Sequence, residues 1–267
     1  MDKGKIFRNL HASTFVIPNP WDIGTARLLA SLGYKALATT SAGYAFSRGL
    51  ADGDVGFEEM IGHCRELVGA TDLPVSADLE NGKGDSAESA AETIFAAEAA
   101  GLAGCSIEDF SGDPANPIYD FSHAVERVAA AAEAARSLKR DFVFTARAEN
   151  FLRGRNDLDD TIRRLQAFER AGADVLYAPA LPTIDMVRTV CSSVSKPVNV
   201  LAIAGFSVAE LAEAGAKRIS VGSKLSTAAF GAMRRAAVEM LEKGTFEYSR
   251  EGMPFSDLQA LFARGEA

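Results

Sequence analysis

With 267 residues, 48% of them hydrophobic and 24% charged, the chain is long enough to bury one large α/β core. A formal net charge of -8, a pI near 5.1 and the lack of any long Lys/Arg block argue against a nucleic-acid or anionic-membrane surface and favour a small-molecule ligand. Cys64, Cys105 and Cys191 show no metal-ligand spacing, and there is no apolar leader or membrane-length run, so the expected setting is the reducing cytoplasm.

After a short polar lead, Thr14-Phe-Val-Ile-Pro-Asn-Pro-Trp21 predicts a strand stopped by prolines, and Asp22 caps a helix that Gly33 ends. Lys35–Thr40 is the second strand. Residues 41–56 follow as a long Gly-rich connection carrying Tyr44 and Asp52, the kind of loop that is usually functional. A helix over Phe57–Gly69 leads to the strand Leu73–Asp78, and Asp85 with Glu88 reads as a capping box for the next helix. The alternation then repeats: strands at Ala103–Ile107, Asp141–Arg147, Gly172–Ala178, Lys196–Leu201 and Lys217–Val221, each followed by a helical stretch. A last segment, 246–267, reads as an appended helix with an apolar stripe at Phe255, Leu258, Leu261 and Phe262.

Eight strand–helix units in about 250 residues are the size and order of a (β/α)₈ TIM-type barrel, an α/β fold of parallel strands. The competing doubly wound sheet would carry a Gly-x-Gly-x-x-Gly after its first strand, and none is present. The expected organisation is a barrel domain over 1–245 and a C-terminal helical extension over 246–267. Barrel chemistry sits at the C-terminal strand ends. Those ends hold Asn19 and Trp21, Thr39 to Ser41, Asp78 and Glu80, Glu108, Arg147, Tyr177, Asn199 and Ser223. Residues two apart on a strand share a face, so Asp78 and Glu80 can aim at one hard cation such as Mg²⁺. The bland alternative is an ion-pair network of Arg147 with these acids. His11, His63 and His123 lie far apart and do not suggest a histidine metal site.

Pro18-Asn-Pro-Trp-Asp22, the loop Thr39–Asp52, Ser76-Ala-Asp-Leu-Glu-Asn-Gly-Lys-Gly84, Ser106-Ile-Glu-Asp109 and Thr145-Ala-Arg-Ala-Glu149 together resemble the isocitrate lyase / phosphoenolpyruvate mutase superfamily. The resemblance implies a Mg²⁺-dependent barrel, with Mn²⁺ as a substitute, acting on small 2-oxo or 2-hydroxy carboxylic acids. It implies Asp78 as the direct metal ligand, with Asp52, Glu80 and Glu108 holding the metal's waters. Thr39, Thr40 and Ser41 would bind the substrate carboxylate. Apart from the resemblance, their strand-end positions make Trp21 and Asn199 further candidate contacts, Asn199 either bonding substrate or satisfying a turn. Arg147 would hold a substrate oxygen and the charge that develops on it. A homotetramer that exchanges the C-terminal helix between subunits is implied as well.

Departures from the pattern narrow the chemistry. Where the superfamily's lyases carry a Lys-Lys-Cys-Gly-His loop, this chain has Phe110-Ser-Gly-Asp-Pro-Ala-Asn-Pro-Ile-Tyr119, which supplies no acid/base cysteine. The sixth strand end, Tyr177-Ala-Pro-Ala180, lacks the lyases' Glu and the mutases' His. Carbon–carbon cleavage through a metal-stabilised enolate is therefore expected, with decarboxylation of an oxaloacetate-type acid best matched and a 2-methylisocitrate-lyase-like retro-aldol next. Arg147, Glu108 and Tyr44 are the catalytic candidates. Phosphonopyruvate-type phosphorus–carbon chemistry and a catalytically quiet metabolite binder are the alternatives.

Overall fold

A computed structural model describes residues 2–263. Eight parallel strands carry the fold: β1 Phe15–Ile17, β2 Leu37–Ala38, β3 Val75–Asp78, β4 Gly104–Glu108, β5 Val143–Arg147, β6 Val175–Tyr177, β7 Val198–Leu201 and β8 Arg218–Ser220. Eleven helices accompany them among the described residues: α1 Lys3–Leu10, α2 Ile23–Ser31, α3 Ser41–Ser47, α4 Phe57–Gly69, α5 Ala87–Ala99, α6 Phe121–Ser137, α7 Leu158–Ala171, α8 Ile184–Ser192, α9 Val208–Glu213, α10 Lys224–Lys243 and α11 Phe255–Ala263. The strands pair in the order β1-β8-β7-β6-β5-β4-β3-β2, so each strand from β2 onward lies beside its sequence neighbour and β1 closes onto β8. At the remaining seam, the Ala38 N–H donates to the Pro18 carbonyl at 3.1 Å. Asn19 completes the closure: its Nδ2 donates to the Thr39 carbonyl at 2.9 Å, and its Oδ1 accepts from the Val221 and Gly222 N–H groups. The result is the TIM-type barrel that the alternation predicts. Its strands are buried on both faces, which is why they read as apolar runs without alternation.

Three local expectations are corrected. The polar lead is the helix α1, capped by the Asp2 side chain. It places the fully buried Phe7 against Ile17, Ala36, Ala103, Val143 and Val175, plugging the barrel, while Arg8 is paired with Asp141 and Asp174 at 2.7 Å each. Only Gly fits at position 4, because an added Cβ would lie 1.7 Å from the Asp141 carbonyl oxygen. The 41–56 connection begins with α3, whose N-cap Thr40 accepts from the Gly43 N–H. Helix α5 is capped by Ser86, because the Asp85 carboxylate instead accepts the Tyr119 hydroxyl at 2.6 Å.

The C-terminal segment, described to residue 263, forms a 3₁₀ turn at Glu247–Glu251 and then α11, which packs on α2 of the same chain. Positions 264–267 of the expected extension lie outside the described residues. Among the described residues no helix is long and apolar enough to cross a membrane.

Candidate active site

A cavity of about 600 Å³ opens at the C-terminal end of the barrel. Asp78, Glu108 and Arg147 are the last residues of β3, β4 and β5, and the pairing register sets Glu108 directly opposite Arg147. Arg147 Nη1 lies 3.3 Å from Asp78 Oδ1 and 3.1 Å from Glu108 Oε2, and its Nε donates to Glu149. Burial alone would make this guanidinium easier to deprotonate; the charges of Glu108, Glu149 and Asp78 outweigh that and raise its pKa well above the ordinary value. Arg153 adds a second cation, 3.3 Å from Glu108 Oε1 and 3.0 Å from Glu149 Oε2, with its guanidinium over the Phe110 ring.

Thr39 and Ser41 fix the acids. Thr39 Oγ1 accepts from the Asp78 N–H at 2.9 Å, and the Ser41 hydroxyl stands 3.3 Å from both Asp78 Oδ2 and Asp52 Oδ1. Asp52, Asp78, Glu80 and Glu108 all face the cavity. Their crowding shows in their protonation. Burial, then the charges of Asp78 and Asp52, push Glu80 up to about 7. Burial also raises Glu108 well above the carboxylate range, against the pull of Arg147. Glu80 sits in the left-handed backbone region with φ of 52°, which costs a non-glycine residue about 1–2 kcal/mol. The Glu108 N–H donates to its carbonyl at 2.9 Å and helps hold it there. Strain of this kind collects at functional sites.

This donor set fits a hard divalent cation. Among the described residues no three His, Cys, Asp or Glu side chains form a group that would hold an ion by themselves. Mg²⁺ does not ask for one, since it usually takes one or two carboxylates and keeps several waters. Asp78, projecting between Ser41 and Arg147, suits direct contact. Asp52, Glu80 and Glu108 suit the waters, and an added cation would relieve the mutual repulsion that raises Glu80 and Glu108.

Of the expected site residues, Thr39, Thr40, Ser41, Asp52, Asp78, Glu80, Glu108, Arg147 and Asn199 line the cavity. Trp21 and Tyr44 do not. The Trp21 carbonyl accepts from His63 Nε2 at 2.9 Å. Tyr44 stacks on the same imidazole at 3.8 Å, and its hydroxyl donates to Glu59 at 3.3 Å. Because residues 41–47 coil into α3 rather than forming an open loop, this aromatic packs on α4, which carries Glu59 and His63. Asn199 faces the cavity, yet its amide already serves the wall: Oδ1 accepts from Arg218 and Nδ2 donates to Ser220.

Sequence reasoning gave no role to Glu149, Ser106, Ser220 and Arg218, and left Arg153 open between a solvated loop residue and a contact for a second substrate carboxylate; the structure sets Arg153 on Glu108 and Glu149 at the cavity. Glu149 follows Arg147 by two residues, and that spacing was the signal available. Arg218 carried none, because a lone arginine ahead of an apolar run reads as a strand flank.

A parallel (β/α)₈ barrel with acids and an arginine gathered at its strand ends is the arrangement of an enzyme of this fold. The chain matches the phosphoenolpyruvate phosphomutase family over residues 7–241 and belongs to that family. It is 31% identical over 258 residues to the 2-methylisocitrate lyase of Escherichia coli K12, a match covering 88% of this chain and 81% of that protein. A Burkholderia cenocepacia J2315 protein provisionally called a lyase/mutase superimposes with a TM-score of 0.96 at 52% identity, over 98% of this chain and 96% of that one. A phosphonopyruvate hydrolase solved with oxalate and Mg²⁺ shares the fold, with a TM-score of 0.87 at 21% identity over 99% and 96% of the two chains. These relatives are lyases, mutases and hydrolases.

Proposed function

We propose that the chain is a Mg²⁺-dependent carbon–carbon lyase of a small 2-oxo or 2-hydroxy acid, with decarboxylation of an oxaloacetate-type substrate as its best-matched reaction. The observation that carries this reading is Arg147, held beside Asp78 and Glu108 at the mouth of one cavity. Bound there, Mg²⁺ would supply Lewis-acid withdrawal of electron density from a 2-oxo group. Arg147 would orient the substrate and stabilise the negative charge that grows on its 2-oxygen as the bond to C3 breaks. Thr40 and Ser41 would hold its 1-carboxylate, and water in the cavity would return a proton to C3. Cys105 cannot serve as the acid, since it is fully buried and burial pushes its thiol well above the ordinary range.

The test is pyruvate release from oxaloacetate with and without Mg²⁺, after subtraction of the metal-only background. Parent protein should exceed background, Asp78→Ala should fall to it, and Tyr44→Phe should stay within about twofold of the parent because Tyr44 faces α4. No excess with the parent would sink decarboxylation. Phosphonopyruvate turnover in the same preparation would favour the second reading, which the family match supports.

We also propose a homo-oligomer, a tetramer in the family pattern. Helix α10 and the segment after it expose Met233, Leu241, Phe246 and Phe255, with Leu241 at 87% and Phe255 at 77%, large apolar side chains that association would take out of water. Exchange of α11 between subunits would cover part of it. A monomer in light scattering at micromolar concentration would refute this.

A further inference from the structure

Among the described residues four arginines are at least nine-tenths buried, and three of them leave no buried nitrogen without a partner. Arg127 donates to the carbonyls of Gly84, Ser86 and Asn81. Arg147 meets three carboxylates, and Arg164 meets Asp109, Asp160 and the Tyr119 carbonyl. Arg218 is the exception. It is 5% exposed and stands on β8 opposite Asn199 of β7. Its Nε donates to Asn199 Oδ1 at 2.9 Å and its Nη2 to Thr145 Oγ1 at 3.0 Å, both neutral acceptors. Nη1 is buried with no partner among the described residues, so only two of five N–H donors are used.

Nothing nearby neutralises it. Burial draws its pKa down to about 10, opposed only by the Tyr177 phenol. On the plugged side, Phe7 lies 5.8 Å from the guanidinium, and His11 is kept neutral by burial and by the charge of Arg218 itself, its pKa lowered to about 3. An unpaired guanidinium held this deep is strongly unfavourable. Yet Arg218 also lines the cavity that holds Asp78 and Arg147. That cavity therefore has two charged regions of opposite balance: a mouth where acids outnumber arginines, and a floor where one arginine has no acid at all.

We propose that Arg218 is the floor subsite for a second carboxylate of the substrate, so that the ligand is a short dicarboxylate spanning the cavity. The unused N–H donors would take its distal carboxylate while Arg147 and the metal-binding acids take the 2-oxo end. Asn199, through Oδ1, keeps the guanidinium extended, and Ser220 anchors Asn199 in turn. The proposal rests on the reading of the mouth as a 2-oxo or 2-hydroxy acid site and assigns the substrate's second carboxylate its binding residue; in a decarboxylation that group would leave Arg218 as neutral CO₂, its electron pair staying on the enolate.

The experiment is calorimetric binding with Mg²⁺ present, comparing oxalate, which fills only the mouth, with two chain-matched pairs that do not lose CO₂ under these conditions: 2-hydroxybutanoate against malate, and 2-oxopentanoate against 2-oxoglutarate. Parent protein should prefer a dicarboxylate over its matched monocarboxylate by about tenfold or more, the worth of a charge-assisted hydrogen bond. Arg218→Met should erase that preference, leave oxalate binding within about twofold, and raise the ligand-free Tm because an unpaired buried charge is gone. Arg218→Lys should keep part of the preference. A dicarboxylate preference that survives in Arg218→Met overturns the proposal and leaves the guanidinium a hydrated wall residue, and so does the absence of any preference in the parent. Failure of oxalate to bind the parent strikes instead at the reading of the mouth, with the preference still reporting on Arg218.

Discussion

Arg147→Ala is expected to lower metal-dependent turnover by about 10³-fold, the loss typical of removing a donor aimed at developing charge. The same guanidinium is shared by Asp78, Glu108 and Glu149, so the substitution also leaves buried acids facing one another. Breaking such a set from one side costs about 3–5 kcal/mol, and part of that should return when Mg²⁺ is added. Arg147→Lys separates the two effects. Lysine keeps the charge, but as a single point it cannot reach Glu149 through Nε and the two strand-end acids through Nη1 together. The Lys variant should therefore fold with a Tm close to the parent's and still lose turnover by about tenfold or more. Turnover in Arg147→Ala equal to the parent's, measured as pyruvate release above the metal background, would remove Arg147 from the chemistry. Should the parent be silent with oxaloacetate, thermal stabilisation by Mg²⁺ plus oxalate reads the same residue.

The barrel was legible because its signal is long-range and repeated: eight apolar runs, each followed by a helical stripe. Eight of the nine expected residues that line the cavity were legible for a related reason, since strand ends in a parallel barrel converge whatever the loops do; Asp52, on the loop after α3, came only from the family resemblance. Local features were harder. Helix α1 was missed because Lys3, Lys5, Arg8 and Asn9 dilute its apolar face, which becomes visible only when Phe7 enters the barrel. Tyr44 and Trp21 were placed by proximity in sequence to real site residues, and the packing of α3 on α4 decided otherwise. Arg218 shows the deeper limit. Its interest lies in what it does not touch, and a sequence displays neighbours along the chain, never the lack of a partner across it.

Behind the cavity, Arg164→Met is expected to be the most destabilising single change outside it. Arg164 is 2% exposed and joins Asp109 of the β4 end, at 3.0 Å, to Asp160 of α7, at 2.9 Å. Asp109 in turn accepts the Glu149 N–H at 2.8 Å, so this pair sets the backbone that carries Glu108 and Glu149 into contact with Arg147. Methionine fills the volume and removes the charge, leaving Asp109 buried and unpaired at a cost of about 3–5 kcal/mol, a fall in Tm of roughly 10 °C for a chain of this size. The defect should depend on pH with a definite sign. Burial already lifts Asp109 to about 6, with Arg164 the largest opposing influence, so its loss raises that carboxyl further. A carboxyl whose folded pKa is raised binds more protons in the native state than in the unfolded one, and stability then falls as pH rises. The parent-minus-variant difference in unfolding free energy should therefore be largest above neutrality and shrink toward pH 5, where Asp109 is protonated and needs no cation. Denaturant titrations of both proteins at pH 5 and pH 8 measure it, and a difference that stays flat or grows toward pH 5 would show that Asp109 does not depend on Arg164.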